Sequence, residues 1–212
     1  MNSAGEISIR AELARKGIHL FALIIPVGYS LVTFPTAIAW VGASAATAIF
    51  IDLSRFYRWS VWKYFALILT PIIREHEVKG GFTGASYILT TALMAIIFFP
   101  KPIAIAAMMF IIIGDTAAAL VGRKYGRHRL KGKKTVEGSA ACFITLFLVS
   151  FFIPGLPTLV AFTGAVTATV AEAISGKIDD NLTVPVSSGL VMLLVMHLMG
   201  YQGATFFGAV QW

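Results

Sequence analysis

Residues 102 to 114 read PIAIAAMMFIIIG, and apolar runs of similar character recur along the whole chain, each broken by a proline, a glycine or a short burst of charge. Several approach the roughly 20 residues that a helix needs to cross a ~30 Å hydrocarbon core. A chain of 212 residues that is 58% hydrophobic and only 13% charged, with a mean hydropathy of +0.82, lies far outside the range of soluble domains. In lipid only helices and closed barrels satisfy their own backbone, and these runs are continuous rather than alternating, so helices are expected. The fold class is all-α: a polytopic transmembrane bundle of about seven spanning helices plus an interfacial or re-entrant segment, forming one integral-membrane domain over residues 1–212. The single cysteine, Cys142, lies inside an apolar run. It offers neither a disulfide framework nor a thiolate cage, and reads as packing.

Spanning helices are expected near 18–34, 36–52, 83–99, 102–121, 137–153, 157–175 and 183–199, with Pro35, Pro100, Pro102, Pro154, Pro157 and Pro185 marking turns or first helical positions. The short aromatic segment 56–73, which carries Arg58 and Lys63, is assigned to the interface or to a re-entrant path. With the N terminus cytoplasmic and 56–73 not crossing, 16 of the 17 basic residues fall on the cytoplasmic face and Lys101 alone lies outside. All ten acidic residues share that face, although the positive-inside rule makes no demand on them, and this segregation points to a site. Arg15-Lys16, the following apolar run and Ala37-Ile38-Ala39 imitate a secretory signal, but the run is longer than a usual signal core and reads as the first span.

The informative charges are those that are expensive to bury. Asp115 precedes Gly122 by seven residues, which puts its carboxylate roughly 10 Å into the bilayer. Ionised carboxylates at such depth face a cavity, a cation or a partner. Asp115, Ala119, Gly122 and Gly126 share a face whose small side chains let a bulky polar group approach the backbone; the bland alternative is helix–helix contact, with Asp115 paired to an arginine. The following loop, GRKYGRHRLKGKKTVEG, suits a polyanion: Arg and Lys match phosphate oxygens, and glycines let N–H groups turn inward as an anion nest. Its alternative is a topogenic cluster drawn to anionic membrane lipids. Glu137 either ligates a cation or favours the dipole of the next helix.

Further on, Glu172 and the loop acids Asp179 and Asp180 supply the hard oxygens that Mg²⁺ takes beside phosphates and waters, while Asn181 or Thr183 can cap the last helix. Asp115, Glu137 and Asp180 are the candidate metal ligands. Near the N terminus, Arg15, Lys16 and His19 lie within one turn, and Asp52 and Arg55 end the second span on the same face. His19 reads as a hydrogen-bonded interface residue before a base. His76 and His128 lie in polar loops, and His197 is remote. Thr83-Gly84 opens a helix whose N–H groups either meet phosphate or only begin the helix.

These residues together resemble a known family. The pattern D-T-A-A-A-x-x-G-R-x-x-G-R from Asp115, G-K-K-T-V-E-G-S from Gly132 and E-A-x-x-x-x-x-D-D-N from Glu172, supported by Arg15-Lys16-x-x-His19 and Thr83-Gly84-Ala85, is similar to the CTP-dependent lipid kinases: dolichol kinases, phytol kinases and yeast-type diacylglycerol kinases. The resemblance implies transfer of the γ-phosphoryl of CTP to a lipid alcohol with a divalent cation such as Mg²⁺, releasing CDP. It implies that Arg123, Lys133, Lys134 and Thr135 hold the CTP phosphates, with Gly122, Gly126 and Gly138 allowing close approach. Asp115, Glu172, Asp179 and Asp180 would serve the metal and the hydroxyl, with Arg15, Lys16, His19, Asp52, Arg55, Thr83 and Gly84 in supporting positions. The expected partners are CTP, membrane lipids and a lipid alcohol, isoprenoid before diacylglycerol, and no nucleic acid. Two rivals remain: a phosphatidate cytidylyltransferase, which releases pyrophosphate, and an anion or lipid-phosphate transporter. A transporter calls for an inverted repeat or polar groups on both faces, and residues 137–199 do not echo 18–99.

Overall fold

In the computed structural model of the chain, residues 17, 19–69, 81–130, 132, 134–174 and 179–201 are described. They form eight helices and no sheet: α1 (Ile24–Leu31), α2 (Phe34–Phe56), α3 (Trp62–Leu69), α4 (Gly84–Phe98), α5 (Lys101–Tyr125), α6 (Val136–Ser150), α7 (Thr158–Ile174) and α8 (Asp180–Leu198). Local chemistry sets most boundaries. Prolines stand in the first turns of α2 and α5, where a missing N–H has no consequence. The side chains of Thr83, Thr135 and Asp179 cap α4, α6 and α8. Arg58, with φ of 52°, turns the chain out of α2.

Helix α5 is the axis. It packs against α1, α4, α6, α7 and α8, and 61% of its most apolar window is buried, against 11% for the peripheral α2. Its buried face is assembled from small and branched residues, among them Ala104, Ala106, Ala107, Ile103 and Ile112, around Phe110. Large apolar side chains instead point outward, as at Trp40, Leu120, Phe152 and Leu198. That inversion suits a hydrocarbon solvent, in which close backbone approach rather than exclusion of oil holds helices together. Three of the described helices, α2, α5 and α8, are long and apolar enough to cross a membrane, which marks a multi-pass membrane protein. The stretch His19–Leu31 and helices α4, α6 and α7 are apolar but shorter. Helix α3 is described over eight residues, about 12 Å, and it contacts α2; residues 70–73 of the aromatic segment lie outside the described residues.

The structure revises three boundaries. Helix α5 runs to Tyr125 rather than stopping near 121, so Gly122 and Arg123 ride on its last turns. Helix α2 extends to Phe56 and carries Asp52 and Arg55 within it. Helix α8 begins at Asp180, so Pro185 lies inside it rather than marking its start. At the opposite end of the bundle, Lys101 Nζ donates to the Val32 carbonyl at 3.0 Å and lies 5.3 Å above the Tyr29 ring, tying the α1–α2 turn to the start of α5.

Candidate active site

The polar end of the bundle begins where α2 ends and α4 starts. The Asp52 carboxylate, 1% exposed, accepts hydrogen bonds from Thr83 N at 2.8 Å, Thr83 Oγ1 at 3.0 Å and Ser86 Oγ at 2.6 Å through one oxygen. Arg55 donates to its other oxygen at 3.1 Å and to the Gly81 carbonyl. The N terminus of α4 therefore already holds an anion, supplied by the chain itself. At Thr83 the Asp52 carboxylate takes the backbone N–H and the hydroxyl of the cap. Ser86 was not among the sequence candidates; the signal for it is its place three residues after the capping Thr83.

Asp115 lies on α5 below this level and is partly accessible. Its Oδ2 is 3.7 Å from His19 Nε2, with the two side chains 24% and 12% exposed. An imidazole thus faces this acid, and it comes from the first apolar helical stretch, nearly a hundred residues away in sequence.

Beyond α5 the basic loop closes on itself. Arg129 and Thr135 form an isolated antiparallel bridge, Leu130 N donates to the Lys134 carbonyl and Val136 N to that of His128, each at 3.0 Å. Gly132, with φ of 62°, makes the turn, a conformation that an L side chain resists. Glu137 folds back on this hairpin: its Oε1 lies 2.7 Å from His128 Nδ1 and accepts from His128 N at 3.2 Å. Arg123, Lys124, Arg127 and Arg129 are exposed around it. The glycines expected to admit a nucleotide meet protein. A Cβ on Gly138 would stand 2.7 Å from the Ala118 carbonyl oxygen, and one on Gly126 would stand 2.2 Å from that of Gly122 and 2.6 Å from Thr135 Cγ2. Thr135 is buried and accepts from Gly138 N at 3.1 Å, so its hydroxyl caps α6 under the loop.

Lys134 leaves the hairpin and pairs with Glu172 at the end of α7, a carboxylate that is 4% exposed. Cys142 is buried against Gly114 of α5, and Gly138 meets the Ala118 carbonyl, so the first half of α6 runs alongside the stretch of α5 that carries Asp115. At the start of α8, Asp179 Oδ1 accepts from Asn181 N at 2.9 Å and from Asn181 Nδ2 at 2.7 Å. This is a cap, and Asp180 follows it in the first turn. Among the described residues no three His, Cys, Asp or Glu side chains group to hold a metal ion. The donor set therefore does not form a self-contained cage. The candidates Arg15, Lys16 and Lys133 lie outside the described residues.

No family model matches the chain, and no solved structure matches it significantly. Among known proteins, a phytol kinase of Synechocystis sp. is 30% identical over 196 residues, covering 85% of this chain and 78% of that one. CTP-dependent diacylglycerol kinase 1 of Schizosaccharomyces pombe is 26% identical over 213 residues, covering 89% and 95%. An uncharacterized protein of Rickettsia prowazekii is 29% identical over 197 residues, covering 89% and 96%. Similarity of this extent over most of both partners means that the chain belongs to the family of the CTP-dependent diacylglycerol kinases and the phytol kinases.

Proposed function

We propose that this protein is a membrane-embedded kinase, a single domain of seven spans, that transfers the γ-phosphoryl group of CTP to the hydroxyl of a lipid alcohol, with an isoprenoid alcohol preferred over diacylglycerol. The observation that carries this reading is a half-buried acid, Asp115, on the stretch of α5 that packs against α6 under a basic hairpin, which is itself tethered through Lys134 to Glu172. A water-soluble polyanion and a membrane-soluble alcohol would meet there. In the proposed step the acceptor oxygen bonds to the γ-phosphorus and the bond from that phosphorus to the β,γ-bridging oxygen breaks, so that CDP departs with the bridging oxygen. The hydroxyl proton passes to the Asp115 carboxylate, with His19 as its neighbour.

Such a transfer asks chiefly for positioning and neutralisation of charge. Lys133, Lys134 and Arg123 would hold the donor phosphates, with Glu172 acting through Lys134 as a positioning residue. Gly122, Gly126, Gly138 and Thr135 would serve the nucleotide indirectly, by holding the hairpin down on α5 and α6. Asp115 and Asp180 would hold Mg²⁺, which would supply further neutralisation of the phosphates. The shorter helices would cross as well, since a bilayer thins and flanking residues reach outward at modest cost per ångström. The N terminus and the site would face the cytoplasm. Cysteines introduced at Arg127 and Lys177 should then react with an impermeant reagent from one side of sealed vesicles; labelling from opposite sides would overturn the topology.

The reaction is tested with purified protein in detergent, γ-labelled CTP, Mg²⁺ and a panel of farnesol, geranylgeraniol, phytol, dolichol, undecaprenol and diacylglycerol. Label should move to lipid as CDP appears. Release of pyrophosphate instead would identify a cytidylyltransferase, and no turnover with any acceptor would refute the kinase reading.

A further inference from the structure

Below Asp115 the bundle is not solid. A water-sized pocket of about 10 Å³ is lined by Ile25 and Pro26 of α1, Ile88 and Thr91 of α4, Ile111 and Ile112 of α5, and Asn181 and Pro185 of α8. Thr91 and Pro185 also line a second space, an apolar groove of about 280 Å³ between α4 and α8, which continues past Met94, Ala95, Val186 and Leu190 to Phe98 and Phe99. The two share a wall, and they follow one another along α4. The pocket lies one turn below Asp115, since Ile111 and Ile112 precede that residue by four and three positions and a turn rises ~5.4 Å. The groove then leads away from the basic hairpin, toward the Pro100 end of the bundle.

The pocket is small and mainly apolar, yet two of its lining residues keep a polar atom without a partner. Asn181 Oδ1 and Thr91 Oγ1 are buried and accept or donate no hydrogen bond, in side chains 5% and 2% exposed. The orientation of the Asn181 amide follows from its Nδ2 donating to the Asp179 carboxylate, which leaves Oδ1 as the free acceptor. Pro185 adds to this, because it has no N–H to return to the Asn181 carbonyl one turn back. Orphan polar atoms of this kind are rare in folded proteins, and each leaves its desolvation uncompensated unless a ligand or water meets it.

We infer that this pocket and groove are the acceptor site: the lipid alcohol lays its hydrocarbon tail in the α4–α8 groove and its hydroxyl in the pocket between Asn181 and Thr91. The inference rests on the lipid-kinase reading and deepens it. One hydroxyl is one donor and two acceptors, which matches an amide oxygen on one side and a threonine hydroxyl on the other. The pocket is hydroxyl-sized, and the groove is apolar throughout its length. A tail entering from the bilayer between α4 and α8 would dock the oxygen one turn below Asp115, from where it would rise by about that turn, ~5.4 Å, to give its proton to the Asp115 carboxylate.

Thr91→Val removes the orphan hydroxyl and keeps the shape of the side chain, so the folded protein should be as stable as the wild type or more so. The KM for geranylgeraniol should nevertheless rise about threefold to tenfold, the range of one hydrogen bond, with the KM for CTP unchanged. Val186→Trp, which fills the groove from a partly exposed position, should raise the lipid KM at least about tenfold, again without effect on CTP. A diazirine-bearing geranylgeraniol analogue, photolysed with the intact protein, should label peptides of α4 and α8, and Val186→Trp should abolish that labelling. Labelling confined to other helices, or both variants with the wild-type lipid KM, would overturn the acceptor site. Because photolabelling needs no turnover, it decides the groove even if CTP is never consumed, a result that would sink the kinase reading separately.

Discussion

The Lys134–Glu172 pair makes a prediction whose structural and catalytic parts can be measured apart. Glu172 is 4% exposed at its side chain and Lys134 27%, so Lys134→Met leaves a carboxylate charged, buried and without this ammonium. Removing one member of a buried pair costs ~3–5 kcal/mol. Water reaches the lysine end of this one, which brings the expected loss to ~2–3 kcal/mol. For a chain of this size that is a fall in Tm of about 4–12 °C. Adding Glu172→Gln removes the buried charge, so the double variant should recover to within ~1 kcal/mol of wild type. The coupling energy of the cycle should be at least ~1 kcal/mol. Thermal unfolding in detergent supplies the four stabilities, and CDP release on the same preparations supplies kinetics. If Lys134 also meets a donor phosphate, the double variant, though stable, should keep a KM for CTP raised about 10- to 100-fold, the scale of a lost charge-assisted hydrogen bond. A double variant as unstable as Lys134→Met would refute the pairing argument. A stable double variant with normal CTP kinetics would leave Lys134 a purely structural cation.

Three further outcomes follow from the same geometry. Asp115→Asn keeps shape and removes charge, so turnover should fall at least ~10²-fold with the fold intact; near-normal turnover in a stable variant would end its catalytic assignment. Asp52→Ala takes the carboxylate from Arg55 and leaves the donors of Thr83 and Ser86 without their acceptor, and should lower stability by ~3 kcal/mol, while the KM for CTP in the surviving folded fraction stays unchanged; a selective rise in that KM would place Asp52 in the donor site. Gly138→Ala sets a methyl 2.7 Å from the Ala118 carbonyl oxygen, and parting α5 from α6 should cost ~1–3 kcal/mol; an unshifted melting curve would show that the hairpin does not pack as described.

What was legible in the sequence was local. Prolines, capping threonines and bursts of charge locate α4, α6 and α7 within a residue or three of where they stand, because each acts on the backbone beside it. The overrun of α5 was hidden because Gly122 reads as a stop. Its neighbours in space, Thr135 and Gly138, are what make a glycine useful inside the helix there. Nothing local announces that Asp52 will bind Thr83, the cap of a helix, 31 residues later, or that Lys134 will find Glu172 38 residues on. Antiparallel helices bring distant charges to one end of a bundle. The sorting of charge to one face predicts that such pairs exist, but not which acid takes which base.

That distinction changes what the glycine-rich loop means. The motif places glycines beside cations, a combination that suits either an anion nest or a tight turn over a helix junction. Here the space above Gly126 and Gly138 is occupied by Thr135 and by the backbone of α5, and the inward-facing hydroxyl is engaged in capping. The same residues thus hold a hairpin whose exposed face carries Arg123, Lys124, Arg127 and Arg129. A polyanion arriving at that face would be met by side-chain charge on a stiffened support rather than by a cradle of amides. The rigidity comes from the glycines and the charge from their neighbours, which gives both halves of the motif a physical reason to travel together.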